Sequence, residues 1–144
     1  MSLDRTRQAV EKILDYNWSV LAPDAKGEVI GMDIKATGPA AIEAAANMFY
    51  GEVFDMRSEV LNVIIGESGG VAEYDLVGKH IGNFCGVAAT GRTVNVRCVS
   101  IYDVVGDEIT GLRMFLPVSL ILEQIGGLRI PDRAPSPEPK EDTS

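Results

Sequence analysis

Between residues 59 and 116 the hydrophobic rhythm of the chain has a period of two, and this limits the fold more than any other feature. Residues 59–65, 71–77, 92–104 and 108–116 alternate apolar with polar side chains, as strands with one covered face do. Turn sequences separate them, GESGG at 66–70 and Gly106, Asp107 and Glu108 further on. In 92–104 the even positions Val94, Val96, Cys98, Ser100, Tyr102 and Val104 form the apolar side. Thr93, Asn95, Arg97 and Asp103 form the polar one. A three-residue loop at 106–108 pairs Val105 with Ile109 and sets Ser100 opposite Met114. Leu112, Met114 and Leu116 then share the covered side with Val96 and Cys98, and a one-residue slip would expose them all.

The first third of the chain follows a helical period instead. Val10, Ile13, Leu14, Asn17 and Leu21 recur every three to four residues, and Ala22, Pro23 and Asp24 stop the run. ATGPAAIEAAANMFY, residues 36–50, predicts a second helix with Pro39 in its first turn. EVIGMDI, residues 28–34, fits either a short helix or an extended piece. After Pro117, SLILEQIGG predicts a short helix with Ser119 as N-cap and Gly126 as its stop. Residues 129–144 hold four prolines among alternating charges, so the expectation is a folded domain over 1–128 and a disordered, Pro-rich acidic tail. Helices followed by long antiparallel strands predict an α+β domain, its twisted sheet wrapped around the helices and a ligand cavity at the open end.

Composition narrows the function classes. Thirteen Lys and Arg against 21 Asp and Glu leave a net charge of −8, with no basic cluster to attract phosphate backbones or anionic lipid. Neither nucleic acid nor membrane is therefore expected as a partner. Two separated cysteines, Cys85 and Cys98, and one histidine, His80, cannot supply a four-ligand zinc site or a disulfide framework. The N-terminus lacks the apolar core of a signal peptide, which predicts a cytoplasmic protein. No metal is expected.

GKHIGNFCGVAATGR, residues 78–92, continues through a long strand, a hairpin and a last strand into LEQIG, residues 122–126. This order resembles the C-terminal half of the SnoaL-like polyketide cyclases, through Gly78, His80, Gly82, Phe84, Gly86, Thr90, Gly91, Arg92, Gln124 and Gly126. FDMRSEV, residues 54–60, is similar to a further stretch of that family. The resemblance implies the cone-shaped α+β barrel of the nuclear transport factor 2-like superfamily, a homodimer, and cofactor-free chemistry in an apolar pocket. It implies cyclase- or isomerase-type reactions on a polyketide- or terpenoid-like substrate. It places Arg97 and Asp103 on the face such proteins use to dimerise. In the family an Asp on the last strand acts as acid/base and a His on the preceding strand assists. The matching positions here are Met114 and Ser100, and neither side chain can do that work. A non-catalytic binding protein or a dimeric scaffold of the same fold is the alternative.

The remaining candidates for acid/base chemistry are Asp75 and His80. Glu73 and Asp75 share one side of their strand, where two close carboxylates could share a proton. His80 ends the same strand and has a suitable intrinsic pKa, although a role in ordering the adjoining turn is the commoner one for a lone histidine. Tyr16, Trp18, Phe49, Glu73, Cys98, Ser100, Tyr102, Leu112, Arg113 and Met114 are the expected pocket residues, Ser100 and Arg113 as polar orienters around a small apolar molecule.

Overall fold

The structure is a computed structural model of the 144-residue chain and describes residues 3–127. Helix α1 (Leu3–Leu14) leads through a 3₁₀ turn (Trp18–Val20) into β1 (Leu21–Ile30) and β2 (Ile34–Thr37). Helix α2 (Pro39–Asn47) widens into a π-helical turn (Met48–Val53). Four long strands follow, β3 (Phe54–Ile65), β4 (Gly69–His80), β5 (Thr93–Val105) and β6 (Glu108–Phe115), before helix α3 (Val118–Gln124). The sheet order is β2-β1-β6-β5-β4-β3. All neighbours are antiparallel except β1 and β6. The α+β architecture expected from the sequence is the one observed, a curved six-stranded sheet with three helices.

Strand parity follows the expectation. Ala72, Tyr74 and Leu76 on β4 and Val94, Val96, Cys98, Ser100, Tyr102 and Val104 on β5 are buried on the inner face. Helix α1 lays Ala9, Val10 and Ile13 onto that face. It comes close because Gly70 has no side chain, since a Cβ there would lie 3.1 Å from Val10 Cγ2. Ile42 of α2 approaches β1 over Gly27 in the same way, at 3.2 Å.

Several boundaries differ from expectation. The first helix ends at Leu14, not at residue 21, because Tyr16 takes a left-handed φ of 62° and Asn17 caps a separate 3₁₀ turn. Leu21 onward is extended, so the 28–34 segment belongs to strands. Pro23 is tolerated there because the β1–β6 register shifts between Leu21 and Lys26, leaving no ladder bond for its missing N–H. The β5–β6 loop has two residues rather than three, pairing Val105 with Glu108 and Val104 with Ile109. A shift between Asp103 and Val104 then restores the expected pairing of Ser100 with Met114. Ser119 lies inside α3, whose N-cap is Pro117 with no side-chain cap bond. Gly126 does stop that helix, at φ 84°. The expected tail at 129–144 lies outside the described residues.

Gly78 pairs with Met56 across β3 and β4, and a Cβ on it would run into the carbonyl oxygen of Asp55 and the Cα of Met56. Gly78→Ala is therefore expected to lower the unfolding free energy by about 2 kcal/mol or more, as overpacking against backbone does. Gly51→Ala is the control. A Cβ there meets nothing within 4 Å, and its change should stay within about 0.5 kcal/mol. Urea midpoints of the two variants check this.

Candidate functional site

The helices and the concave sheet face enclose a cavity of about 330 Å³. Strand alternation aims Tyr74, Ser100, Tyr102, Leu112 and Met114 into it, and Ser58 enters from β3. Tyr16 and Trp18 close it from the turn between α1 and β1, and Phe49 and Tyr50 from the π-helical turn. All four tyrosines of the chain line this one space. Apart from Glu28 and Asn83 at its border, its polar side chains are hydroxyls in two groups. Tyr74 Oη and Ser100 Oγ lie 2.6 Å apart and are buried. Tyr16 Oη donates to Ser58 Oγ at 3.3 Å, and Tyr50 Oη lies at the same distance from that oxygen.

Burial holds these phenols in the neutral form. Desolvation drives Tyr74 and Tyr50 far above the ordinary 10.0, with hydrogen bonds from Ser100 and Ser58 only partly offsetting it. Tyr102 is pushed up to about 12 by burial, against a smaller opposing effect of Ser100. Cys98 is buried behind the lining, and burial raises its thiol to about 12, so it remains an unreactive thiol at neutral pH. At neutral pH the cavity therefore presents neutral O–H groups that can donate to a ligand oxygen.

The expected carboxylates lie elsewhere. Glu73 and Asp75 point to the outer face of the sheet, where Arg97 binds Asp75 Oδ1 at 2.7 Å and Glu73 Oε2 at 3.3 Å. The physical reason is parity, since Tyr74 and Leu76 between and beside them are the buried residues of β4. Arg113 is likewise turned outward and bonds Asp103 at 2.7 Å. Glu28 borders the cavity, but Gly27 beside it faces Ile42 and Leu112. Glu28 itself pairs in register with Arg113, on which its charge acts. Of the residues expected in the pocket, Tyr16, Trp18, Phe49, Ser100, Tyr102, Leu112 and Met114 line it, whereas Glu73, Cys98 and Arg113 do not. Tyr50, Tyr74 and Ser58 line it and were not anticipated. Tyr74 was legible from its place on the apolar parity of β4, and Ser58 from the in-and-out rhythm of FDMRSE.

His80 does not line the cavity either. It is fully buried, with its ring centroid 5.5 Å from that of Phe54. Its Nδ1 accepts the Thr90 N–H at 3.2 Å and sits 3.0 Å from Thr90 Oγ1. Its own N–H donates to the Arg92 carbonyl, and its carbonyl accepts from Gly91 N–H. A backbone N–H can only donate, so Nδ1 is the acceptor and Nε2 carries the proton of the neutral ring. Nε2 has no hydrogen-bond partner among the described residues. His80 thus fastens the ends of the 81–92 segment, from which Asn83, Phe84 and Cys85 reach the cavity wall.

A family model, that of the SnoaL-like polyketide cyclases, matches residues 7–125. The chain belongs to the SnoaL-like polyketide cyclase family. Solved structures agree in fold. A putative SnoaL-like polyketide cyclase from Jannaschia sp. CCS1 superposes with a TM-score of 0.78 at 18% identity, over 88% of this chain and 94% of that one. TsrD from Streptomyces laurentii gives 0.75 at 17% identity, over 89% and 99%. A Catenulispora acidiphila protein of ketosteroid isomerase-like fold gives 0.67 at 15% identity, over 90% and 93%. No curated protein matches the sequence. Among the described residues there is no group of three or more metal-ligating side chains, and no helix is long and apolar enough to cross a membrane. Met114 faces Ser100 across the β5–β6 pair inside the cavity.

Raised phenol pKa values make stability pH-dependent in a defined direction. Well below pH 10.0 neither the folded nor the unfolded chain ionises these groups. As pH rises from there through about 12, the unfolded chain releases protons that folded Tyr102, Tyr74 and Tyr50 retain, so stability is lost. A spectrophotometric titration should accordingly find these three phenols ionising well above 10.0 in the folded protein. Ionisation near 10.0 would place them in contact with water.

Proposed function

We propose that the protein binds a planar, largely apolar small molecule carrying a carbonyl or phenolic oxygen, and that Tyr74 and Ser100 hold that oxygen. The observation that carries this reading is the buried Tyr74–Ser100 hydroxyl pair, 2.6 Å apart in a largely apolar cavity. Desolvated hydroxyls cost free energy unless paired, and a ligand oxygen gives them a further partner. Aromatic walls suit a flat ring system.

The same pair suits the electrophilic half of a cyclisation or isomerisation, because neutral donors aimed at a ligand oxygen stabilise negative charge as it develops. Abstraction of a carbon-bound proton is a different requirement. Met114 cannot take it, Asp75 is engaged by Arg97 on the outer face, His80 is engaged by Thr90, and Glu28 at the cavity border stands in register with Arg113. Membership of the family favours a catalytic role, and such a role needs a substrate that enolises without a strong protein base. Binding is therefore the reading we favour, with cofactor-free cyclase-type chemistry second.

Trp18 is the chain's single tryptophan and lines the cavity, so its fluorescence reports occupancy. Titration with 2-(hydroxymethyl)anthraquinone should quench it saturably. Tyr74→Phe and Ser100→Ala should each weaken binding about fivefold, the worth of one hydrogen bond of about 1 kcal/mol. Full affinity in both variants would mean that the ligand oxygen is held elsewhere. Conversion of a cyclisable substrate that Asp75→Asn abolishes would replace binding with catalysis from the outer face.

A further inference from the structure

The Tyr74–Ser100 pair has a counterpart in the same cavity, centred on Ser58. Strand β3 turns Ser58 inward, opposite the buried Leu76 of β4. Tyr16 reaches it from the turn between α1 and β1, and Tyr50 from the π-helical turn. Ser100 stands opposite Ala72 of the same strand β4. The two serines are therefore on strands either side of β4 and separated by about 13 Å along them, from the rise of four residues. The two groups still act on one another electrostatically, Tyr50 on Tyr74 and Tyr16 on Tyr102. They are thus distinct points within reach of a single small ligand.

Hydroxyl protons can be counted at each point. Tyr16 Oη donates to Ser58 Oγ at 3.3 Å, and one contact of the same length joins Ser58 to Tyr50. Whichever of Ser58 and Tyr50 donates in that contact, the other keeps an O–H to spare. Both contacts exceed the length of a good O–H···O bond, about 2.5–3.0 Å, whereas Tyr74 and Ser100 lie 2.6 Å apart. Redirecting a hydroxyl of the Ser58 group to a ligand oxygen therefore gives up little. The Tyr74–Ser100 contact likewise uses one of its two protons. A ligand with one oxygen satisfies one spare donor and covers the other with apolar surface, which costs free energy once water is displaced.

We propose that the ligand carries two oxygens on opposite ends of its ring system, the first held by Tyr74 and Ser100 and the second by Tyr50 and Ser58. This rests on the reading of the cavity given above and narrows its ligand to a doubly oxygenated ring compound. The second oxygen is a neutral carbonyl or phenol, because the three side chains that meet there include no cation to balance a carboxylate.

Three naphthalenes of similar size test this: 2,6-dihydroxynaphthalene, 6-methyl-2-naphthol and 2,6-dimethylnaphthalene, with two, one and no oxygens. Calorimetry gives their affinities for the wild-type chain and for the triple variant Tyr16→Phe, Tyr50→Phe and Ser58→Ala, which keeps the rings and removes the hydroxyls. Comparing ratios between the two proteins cancels the different hydration of the ligands. The expected result is that the preference for the diol over 6-methyl-2-naphthol falls about fivefold in the variant, the worth of one hydrogen bond. The preference for 6-methyl-2-naphthol over 2,6-dimethylnaphthalene should stay within about twofold, since that oxygen keeps Tyr74 and Ser100. A diol preference unchanged by the variant overturns the proposal and leaves the Tyr74–Ser100 reading standing. A fall in the second ratio as well puts the single oxygen on Ser58, which overturns that reading and the proposal with it. Failure of all three to bind the wild type overturns both. Should the triple variant not fold, Tyr50→Phe with Ser58→Ala carries the same expectations.

Discussion

The pairing of Ser100 with Met114 across β5 and β6 is the constraint on which the rest of the structure depends. Side chains on a strand alternate between faces, so one register decides the content of both faces. In the observed register Tyr74, Cys98, Ser100 and Tyr102 are inside, and Glu73, Asp75, Arg97 and Asp103 are outside. A slip of one residue would bury the charged ladder and expose the hydroxyls. The register is set by a two-residue turn at Gly106 and Asp107, followed by a bulge that absorbs one residue. The outer face then satisfies its charges internally, through Arg97 with Glu73 and Asp75 and through Arg113 with Asp103.

The residues that carry the family resemblance prove to be mostly fasteners. His80 clasps Thr90 and Arg92 at the base of the 81–92 segment. Gln124 accepts the N–H of Asn95 and donates to its carbonyl, pinning α3 to the start of β5. Gly126 leaves room for the Arg92 guanidinium, whose Nη1 would lie 2.7 Å from a Cβ there. Gly82 is similarly required, because a Cβ on it would meet the backbone of Glu52. These contacts build the fold and the rim of the cavity. A match in such positions therefore identifies the fold and the family, while function rests on the side chains that line the cavity.

The inner faces of β4, β5 and β6 could be read in advance because alternation there is long and clean. Strand β1 could not, since Val20, Leu21 and Ala25 continue the helical spacing of α1 and Pro23 argues against a strand. Only the left-handed turn at Tyr16 breaks that run, and nothing in the residue type announces it. The chemistry of Asp75 and Glu73 points into the cavity, whereas the apolar Tyr74 and Leu76 beside them point the other way. Burial was the better guide, because a charged pair on a sheet is cheaper in water than in a cavity. The gathering of four tyrosines from the turn after α1, the π-helical turn, β4 and β5 depends on tertiary contacts that no local pattern encodes.

The central claim is that the cavity works through neutral hydroxyls. The most direct measurement is the affinity for a neutral ligand, 2-(hydroxymethyl)anthraquinone, between pH 5.5 and 9. Tyr50, Tyr74, Tyr102 and Cys98 all stay protonated across that range, so the affinity should be flat. A step or a bell in the same range would put an ionising side chain in contact with the ligand and contradict the account.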